Sequence, residues 1–359
     1  MQIHPLRTYK KYILYGMVIF SSLFYKEKGY AQSPFKIEKL SVIDDAEFPL
    51  IHCANKYTEN KINTLLQLCK LELLIDKKEK HIFEQVTREF MYGLIALKYT
   101  ILNNSDRNLS IKFDGVSSGA SVHTFVNYYN FNPENGDRYD LRDFFDTDNF
   151  IKFKELFNQK QIHLVLKQVD SLKKKKNTDT YEIYLLEYIL TEKLKKEVSF
   201  DDFYFTEDKI FFDFENLIEK PLKRLELKTI SYITIDEIKH LLNDIGKVVF
   251  ITGKNLKNHR SKHGTQLYEG FIAEKYPFYF TTFPHYSAIY AYKKYGKGIL
   301  LSFKEDLSNE NTRVYKEYKE EEGKYDLEAT LTFEDKGDTL IGFWIPNKGK
   351  KKTFWAKRK

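Results

Sequence analysis

Two short runs carry the side chains best suited to chemistry. Ser199-Phe200-Asp201-Asp202 offers paired carboxylates, and His259-Arg260-Ser261-Lys262-His263 spaces two imidazoles four residues apart. A carboxylate and two imidazoles hold a divalent cation in three positions and leave a fourth open, where bound water becomes acidic enough to attack. The candidate metal ligands are therefore Asp201, His259 and His263. Their surroundings oppose that role, because Lys257, Arg260 and Lys262 put positive charge around the His pair. HRSKH also lacks the Glu general base of His-Glu-x-x-His. The expectation is an exposed basic loop, with no metal or other cofactor.

The remaining chemical candidates are weaker. Asp140, Asp143, Asp146 and Asp148 lack the Gly and the final Glu of an EF-hand loop, and short acids in that run suit helix starts instead. No Gly-x-Ser-x-Gly and no phosphate-binding glycine loop occurs. Ser117, Ser118, Ser121 and His123 lie close in sequence, but alternation along a strand divides neighbours between two faces. No nucleophile with its base is expected, and the chain reads as a non-enzyme. Tyr286, Tyr290, Tyr292, Trp344 and Trp355 admit two readings: stacking on sugar rings along an open face, or alternate filling of a core. Cys53 and Cys69 could close a disulfide loop of about 15 residues, worth ~3 kcal/mol in the chain-entropy model. Cys69 lies within the helical pattern INTLLQLCKLELL, which leaves two free thiols equally open.

The first 31 residues set the compartment. Arg7, Lys10 and Lys11 precede fourteen uncharged residues, Tyr12 to Tyr25, and Gly29 and Ala31 then provide the small residues of a cleavage site. That order is a secretory signal with cleavage after Ala31. Fourteen helical residues span ~21 Å, short of the ~30 Å hydrocarbon core. No later stretch is apolar enough to span, so a chain that is soluble in the periplasm or medium, with no integral membrane segment after cleavage, is expected. Residues 1–31 hold +4 of the chain's net +7, leaving +3 for the rest, and nucleic acid is not an expected partner.

Elements able to position these groups follow from periodicity. FKIEKLSVI alternates as a strand, and Asn60 to Leu74 repeats Ile62, Leu65, Leu66, Cys69 and Leu73 at near-helical spacing. REFMYGLIALKYTIL, NLSIKFDG and SVHTFVNYYNFN read as strands, the last ending in the Pro133–Gly136 turn. FIKFKELFNQK and Asp179–Lys196 read as helices, the second with Ile183, Leu186, Leu190 and Leu194 on one face. DFYFTEDKIFFDF is a hairpin about Glu207-Asp208-Lys209, LELKTISYI a strand, and Thr234 with Glu237 a capping box opening a short helix. From Gly246 onward, short runs recur about every ten residues: KVVFIT, TQLYEGFIAE, FYFTTF, AIYAYKKY, GILLSFKE, TRVYKEYKE, YDLEATLTFE, TLIGFWIP and TFWAKR. The fold class is α+β: a helix-packed antiparallel sheet over 36–243, then an all-β antiparallel meander or small barrel over 246–359.

The middle of the chain resembles a known family. LSIKFDG, SSGAS and YYNFNPENGDRYDLRDFF, followed by FYFTEDKIFFDFENLIEKPLKRLELKTISYITIDEIKHLL, are similar to the extracytoplasmic domain of RsiV-like anti-sigma proteins. The same domain, the DUF4163/DUF3298 pair, stands beside the catalytic domain of the peptidoglycan deacetylase PdaC. The resemblance covers roughly residues 36–243. Ser118-Gly119-Ala120-Ser121 replaces the family's Gly-Gly-Ala-His, so any role of that His is missing. The resemblance implies an α+β domain on an exported cell-envelope protein. The RsiV branch looks like a set of lysozyme receptors, which implies a lysozyme-like protein or a cell-wall glycan as partner. The chain lacks the cytoplasmic segment of such receptors, so sigma-factor signalling is not expected. Tyr290-Ala291-Tyr292-Lys293, Glu317, Gly323 and Gly342-Phe343-Trp344 resemble a β-rich module at the end of Bacteroidota envelope proteins. A metal-dependent glycan deacetylase or hydrolase is the rival, although deacetylases follow the first His with Ser or Thr where Arg260 stands. A structural module of an envelope complex is the third reading.

Overall fold

The computed structural model describes residues 33–359 except 44–45, 76–93, 119–120, 176–178, 197–199, 219, 284–286, 309–311 and 322–323. The expected export segment with Ala31, and the candidate aromatic Tyr286, lie outside the described residues. Strands β1 (Lys36–Ile43) and β2 (Ala46–His52) form an antiparallel hairpin. Helix α1 (Lys56–Leu71) follows, its first turn capped by Asn55, whose side chain accepts from the Tyr57 and Thr58 amides. Glu72, in the left-handed region at φ 51°, ends it. Strands β3 (Leu94–Asn104), β4 (Leu109–Ser118) and β5 (Val122–Phe131) complete a sheet of order β1-β2-β3-β4-β5. Pairing is antiparallel except at β2 and β3, which run parallel. The sheet is helix-packed because α1 lays Ile62, Leu65 and Leu66 on Phe48, Ile111 and Phe113, all of them buried.

The Asp-rich run caps helices, as its chemistry suggested. Asp140 and Asp143 form a reciprocal capping box on a short 3-10 turn (Leu141–Phe144), and Asp146 precedes the 27-residue helix α2 (Thr147–Lys173). Helix α3 (Thr180–Lys196) packs on it through Val165, Val169, Ile183, Leu186 and Leu194. The second sheet is β6 (Phe203–Phe205), β7 (Lys209–Asp213) and β8 (Ile230–Thr234), with the expected hairpin and the Thr234–Glu237 capping box on α4 (Ile235–Ile238). Phe153 and Phe157 of α2 pack on this sheet, with the Phe157 and Phe212 rings 3.8 Å apart between centroids. Side-chain amides join the two sheets: Asn130 donates to the Phe203 carbonyl at 2.7 Å and Asn103 to that of Phe205 at 3.1 Å.

One expected strand is not a strand. KVVFIT falls in α5 (Asp244–Lys247) and the π-helical turn Val248–Thr252 that continues it. Periodicity cannot tell a five-residue apolar run in a strand from one in a buried helical turn. Val249 and Phe250 are buried beside Phe144 and Phe205, so tertiary packing decided the conformation.

The other eight runs form a closed antiparallel barrel. Its strands are β9 (Leu267–Ile272), β10 (Tyr276–Thr282), β11 (Ser287–Tyr292), β12 (Gly298–Phe303), β13 (Thr312–Glu321), β14 (Lys324–Asp335), β15 (Thr339–Pro346) and β16 (Lys352–Arg358). Each pairs with the next, and β16 closes on β9. Eight strands leave an interior just wide enough for side chains to fill. Phe278, Phe280, Tyr290, Tyr315, Phe333 and Phe354 fill it. At Gly270 a Cβ would stand 2.0 Å from the Trp355 carbonyl oxygen, so the β9–β16 seam needs glycine there.

The barrel and the α+β part share one compact unit, Phe35–Lys359. Outward-facing Leu267, Ile289 and Ala291 join the core under α1. The Gly298 amide donates to the Glu72 carbonyl and that of Leu74 to Gly296, at 2.7 and 2.6 Å. Among the described residues no helix is long and apolar enough to cross a membrane.

Candidate functional site

The barrel's hairpin turns at 273–275, 293–297 and 347–351 lie at one end, and the starts of β9 and β13 and the ends of β14 and β16 lie at the other. That second end is a mouth facing the α+β part, and between them is a cavity of about 580 Å³. Its floor is the top of the barrel core, including Tyr268, Phe280, Tyr315 and Phe333. Alternation along β13 puts Arg313 in phase with Tyr315, and along β14 and β16 it puts Asp335 with Phe333 and Arg358 with Ala356. The opposite wall carries Arg138, Tyr139, Arg142, Asp201 and His263.

A buried ion cluster holds the two walls together. Asp137, at the end of the Pro133–Gly136 turn, accepts from Lys61 of α1, from Arg358 at 2.8 Å and from the Ser261 amide at 3.1 Å. Its side chain is 1% exposed, against 4% for Lys61 and 9% for Arg358, so the three compensate one another out of water. Burial pushes the Lys61 ammonium below its usual range, and the Asp137 charge works against that. Arg142 is exposed and donates to Asp140 at 2.8 and 2.7 Å, holding that carboxyl low against its burial. Arg138 donates to Thr265 at 2.8 Å and lies 4.6 Å over the Tyr129 ring.

Asp143 explains the His-rich loop. Buried, its carboxylate accepts the Ser261 hydroxyl at 2.6 Å and the Lys262 and His263 amides at 2.7 and 3.0 Å. The loop's backbone is thus wrapped on a carboxylate, and its basic side chains, Arg260 and Lys262, are exposed. Gly264 is required where the loop passes the Arg138 carbonyl, 2.0 Å from where a Cβ would be. The structure brings Asp201 and His263 to the same cavity and leaves His259 off it, its carbonyl accepting from the Asn132 and Asn135 amides. Among the described residues no three His, Cys, Asp or Glu side chains converge as a metal-ligand set.

A second cavity of about 320 Å³ shares Arg138, Asp201 and Phe283 with the first, and Asp202 and Lys70 line it. Burial raises Asp202 to about 6, assisted by the charges of Asp201 and Asp213 and opposed by the Asn216 amide at 3.0 Å. Burial lowers Lys70 to about 8; its ammonium donates to Asn127 and faces the rings of Phe113, Phe125 and Tyr129.

The candidate aromatics do not form one face. Tyr290 is buried inside the barrel, donating to Glu317 at 2.8 Å, and Trp344 reaches the same oxygen at 3.4 Å. Tyr292 packs on Tyr290 edge to face, whereas Trp355 points outward and is 42% exposed. Burial raises Glu317, and the Tyr290 hydroxyl is raised by burial and then by the Glu317 charge.

Of the two readings left open for Cys53 and Cys69, the structure has free thiols. Thirteen helical steps separate Lys56 from Cys69, ~20 Å, and the three residues back to Cys53 recover at most ~11 Å, so the Cα atoms stay beyond the ~7 Å limit. Burial raises Cys69 to about 11. Ser121 and His123 are a correction, because their side chains do meet, Oγ to Nε2 at 2.7 Å. Two residues apart, they share a face. Both are exposed, and they line neither of the two cavities.

Sequence reasoning missed Arg313, Tyr139, Asp335 and Arg358. The available signal was phase: Arg313-x-Tyr315-x-Glu317 alternates a charge with inward aromatic and acidic residues. Among the described residues the exposed Arg313 guanidinium makes no hydrogen bond or ion pair. Buried Arg358 Nε and the Tyr139 hydroxyl also have no partner, and both residues line the mouth cavity.

No family model matches the sequence, and no curated protein matches it. The crystal structure of a DUF3298 family member from Bacteroides fragilis NCTC 9343 is 14% identical, covering 60% of this chain and 93% of its own, with a TM-score of 0.40. A likeness of that size assigns neither family nor activity.

Proposed function

We propose that this chain is a non-enzymatic binding protein of the cell envelope, and that a cell-wall glycan fragment occupies the barrel mouth. The observation that carries the reading is the exposed Arg313 guanidinium, unpaired among the described residues, at a cavity that Arg138, Arg142 and Arg358 also line. The cavity therefore favours an acceptor-rich occupant, and the aromatic floor suits the apolar face of a sugar ring. Muramyl peptides supply carboxylates, carbonyls and hydroxyls together.

Titration calorimetry of the purified chain with a disaccharide muropeptide tests this, with chitotriose as an uncharged comparison and lysozyme as the protein alternative. Saturable muropeptide binding, weakened about tenfold or more by Arg313→Ala, is expected. No heat with the muropeptide, or an Arg313→Ala variant that binds equally well, refutes it. Export through the N-terminal signal is part of the same proposal, checked by sequencing the N-terminus of the mature protein for a start after Ala31. The hydrolase reading has less support, since His259 stands away from Asp201 and His263. Zinc titration that leaves His263→Ala indistinguishable from the parent would dismiss it.

A further inference from the structure

The outer wall of the barrel carries an apolar face that stays exposed among the described residues. In register across three strands, Ile341 on β15 pairs with Trp355 on β16, which pairs with Phe271 on β9. Along β15 the same outward phase continues with Phe343 and Ile345. These five side chains are between 37% and 44% exposed. Together they present on the order of 400 Å² of apolar surface, the size at which a patch marks a contact site. The α+β part packs on β11 through Ile289 and Ala291 and on the start of β9 through Leu267. In an eight-membered ring β15 stands opposite β11, so Ile341, Phe343 and Ile345 lie away from that contact, and Phe271 stands at the far end of β9 from the packed Leu267.

Charge identifies the occupant. From Thr339 to Lys359 the sequence has seven Lys or Arg and no acid. Lys348, Lys350 and Lys351 crowd the β15–β16 turn at the tip of the apolar stripe, and Lys351 lies 3.3 Å over the Phe343 ring. Two of the acids that flank the patch are engaged, Glu334 with Lys336 at 3.3 Å and Glu269 with Lys293 and Lys359. Exposed Trp, Phe and Ile beside a lysine-rich tip form an interfacial surface: the apolar groups enter the acyl boundary while the ammonium groups meet anionic headgroups. We propose that the β9–β16–β15 face docks on an anionic lipid bilayer surface, without spanning it.

The proposal is independent of what the mouth binds. It is tested on Phe35–Lys359, compact on its own, by co-sedimentation with phosphatidylcholine vesicles and with vesicles that also contain phosphatidylglycerol. Partition onto the anionic vesicles at least tenfold above the neutral ones is expected, falling as salt rises. The double variant K350E/K351E, at the exposed turn, should lose about tenfold or more of that partition, and F343S/W355S should lose it at both salt concentrations. Tryptophan emission of a Trp344→Phe variant, which reports Trp355 alone, should shift to the blue on binding. Equal partition onto both vesicle types, no partition, or a concentration-dependent dimer abolished by F343S/W355S overturns the proposal; the last would mean that a second copy covers the face. Circular dichroism matching the parent confirms that each variant is folded.

Discussion

Asp202→Asn separates a charge from its shape. Asp202 lines the smaller cavity, where Asn216 donates to it and Asp201 and Asp213 add negative charge. Its folded value of about 6 stands some two units above the ordinary 3.8. At ~1.4 kcal/mol per unit, the ionised carboxylate opposes folding by up to ~3 kcal/mol above pH 6. The sign follows from proton uptake. Between about pH 4 and 6 the folded chain keeps a proton that the unfolded chain has released, so stability falls as pH rises through that window. Asparagine still accepts from Asn216 and carries no charge. Urea denaturation of the parent and of Asp202→Asn at half-unit steps from pH 4 to pH 8 measures the difference. The variant should gain ~1–3 kcal/mol at pH 7.5, and its advantage should shrink to near zero by pH 4. A variant that is less stable at pH 7.5, or whose gain does not change with pH, refutes the reasoning that burial and like charge hold this carboxyl up.

Three further outcomes follow from the packing. Asp137→Ala leaves Lys61 and Arg358 buried without their anion and should cost ~3–5 kcal/mol, in a single calorimetric transition at lower temperature; two separated transitions would show that barrel and α+β part unfold independently. Gly270→Val drives a branched side chain into the β9–β16 seam and should leave the chain largely insoluble on expression, whereas Gly337→Ala, at a turn with open space around it but φ +79°, should cost only ~1 kcal/mol by chemical denaturation. Two thiols per chain should react with Ellman's reagent in denaturant without reductant, and non-reducing electrophoresis should show no mobility change; an unreactive pair would contradict the helix geometry.

What could be read from the sequence depended on whether one element carried the signal. The eight barrel strands were legible because each is buried on one face, so alternation is written into runs such as TLIGFWIP. The Thr234–Glu237 cap was legible because its partners are three residues apart, and the Asp140–Asp148 run because short acids suit helix starts. KVVFIT was not, because Phe250 is buried beside Phe144 and Phe205, 106 and 45 positions away in the sequence, and such tertiary packing leaves no local signal. HRSKH reads correctly as an exposed basic loop from its side chains, yet its backbone is anchored on Asp143, a long-range bond that spacing cannot show. The aromatic set split for a simpler reason: Tyr290 and Trp344 stand in the inward phase of their strands and Trp355 in the outward phase of its own. The mouth cavity was illegible, since it exists only once the barrel end meets the Pro133–Gly136 turn and the His263 loop.

The seam between β9 and β16 has a kinetic consequence. Its partners, such as Gly270 and Ala356, are separated by the whole barrel sequence, so closure pays the loop entropy of every intervening strand before any seam bond forms. Until then β9 and β16 are open edges carrying the outward Phe271 and Trp355, the condition in which chains add to one another. Arg358 provides the check on that step. A slip of one residue turns it out of the barrel, and a slip of two carries it ~7 Å along the strand, away from Asp137. The Arg358–Asp137 contact therefore acts as a register latch: only the correctly closed barrel completes the Lys61–Asp137–Arg358 cluster, and misregistered closures leave Asp137 without its second cation, which favours their reopening.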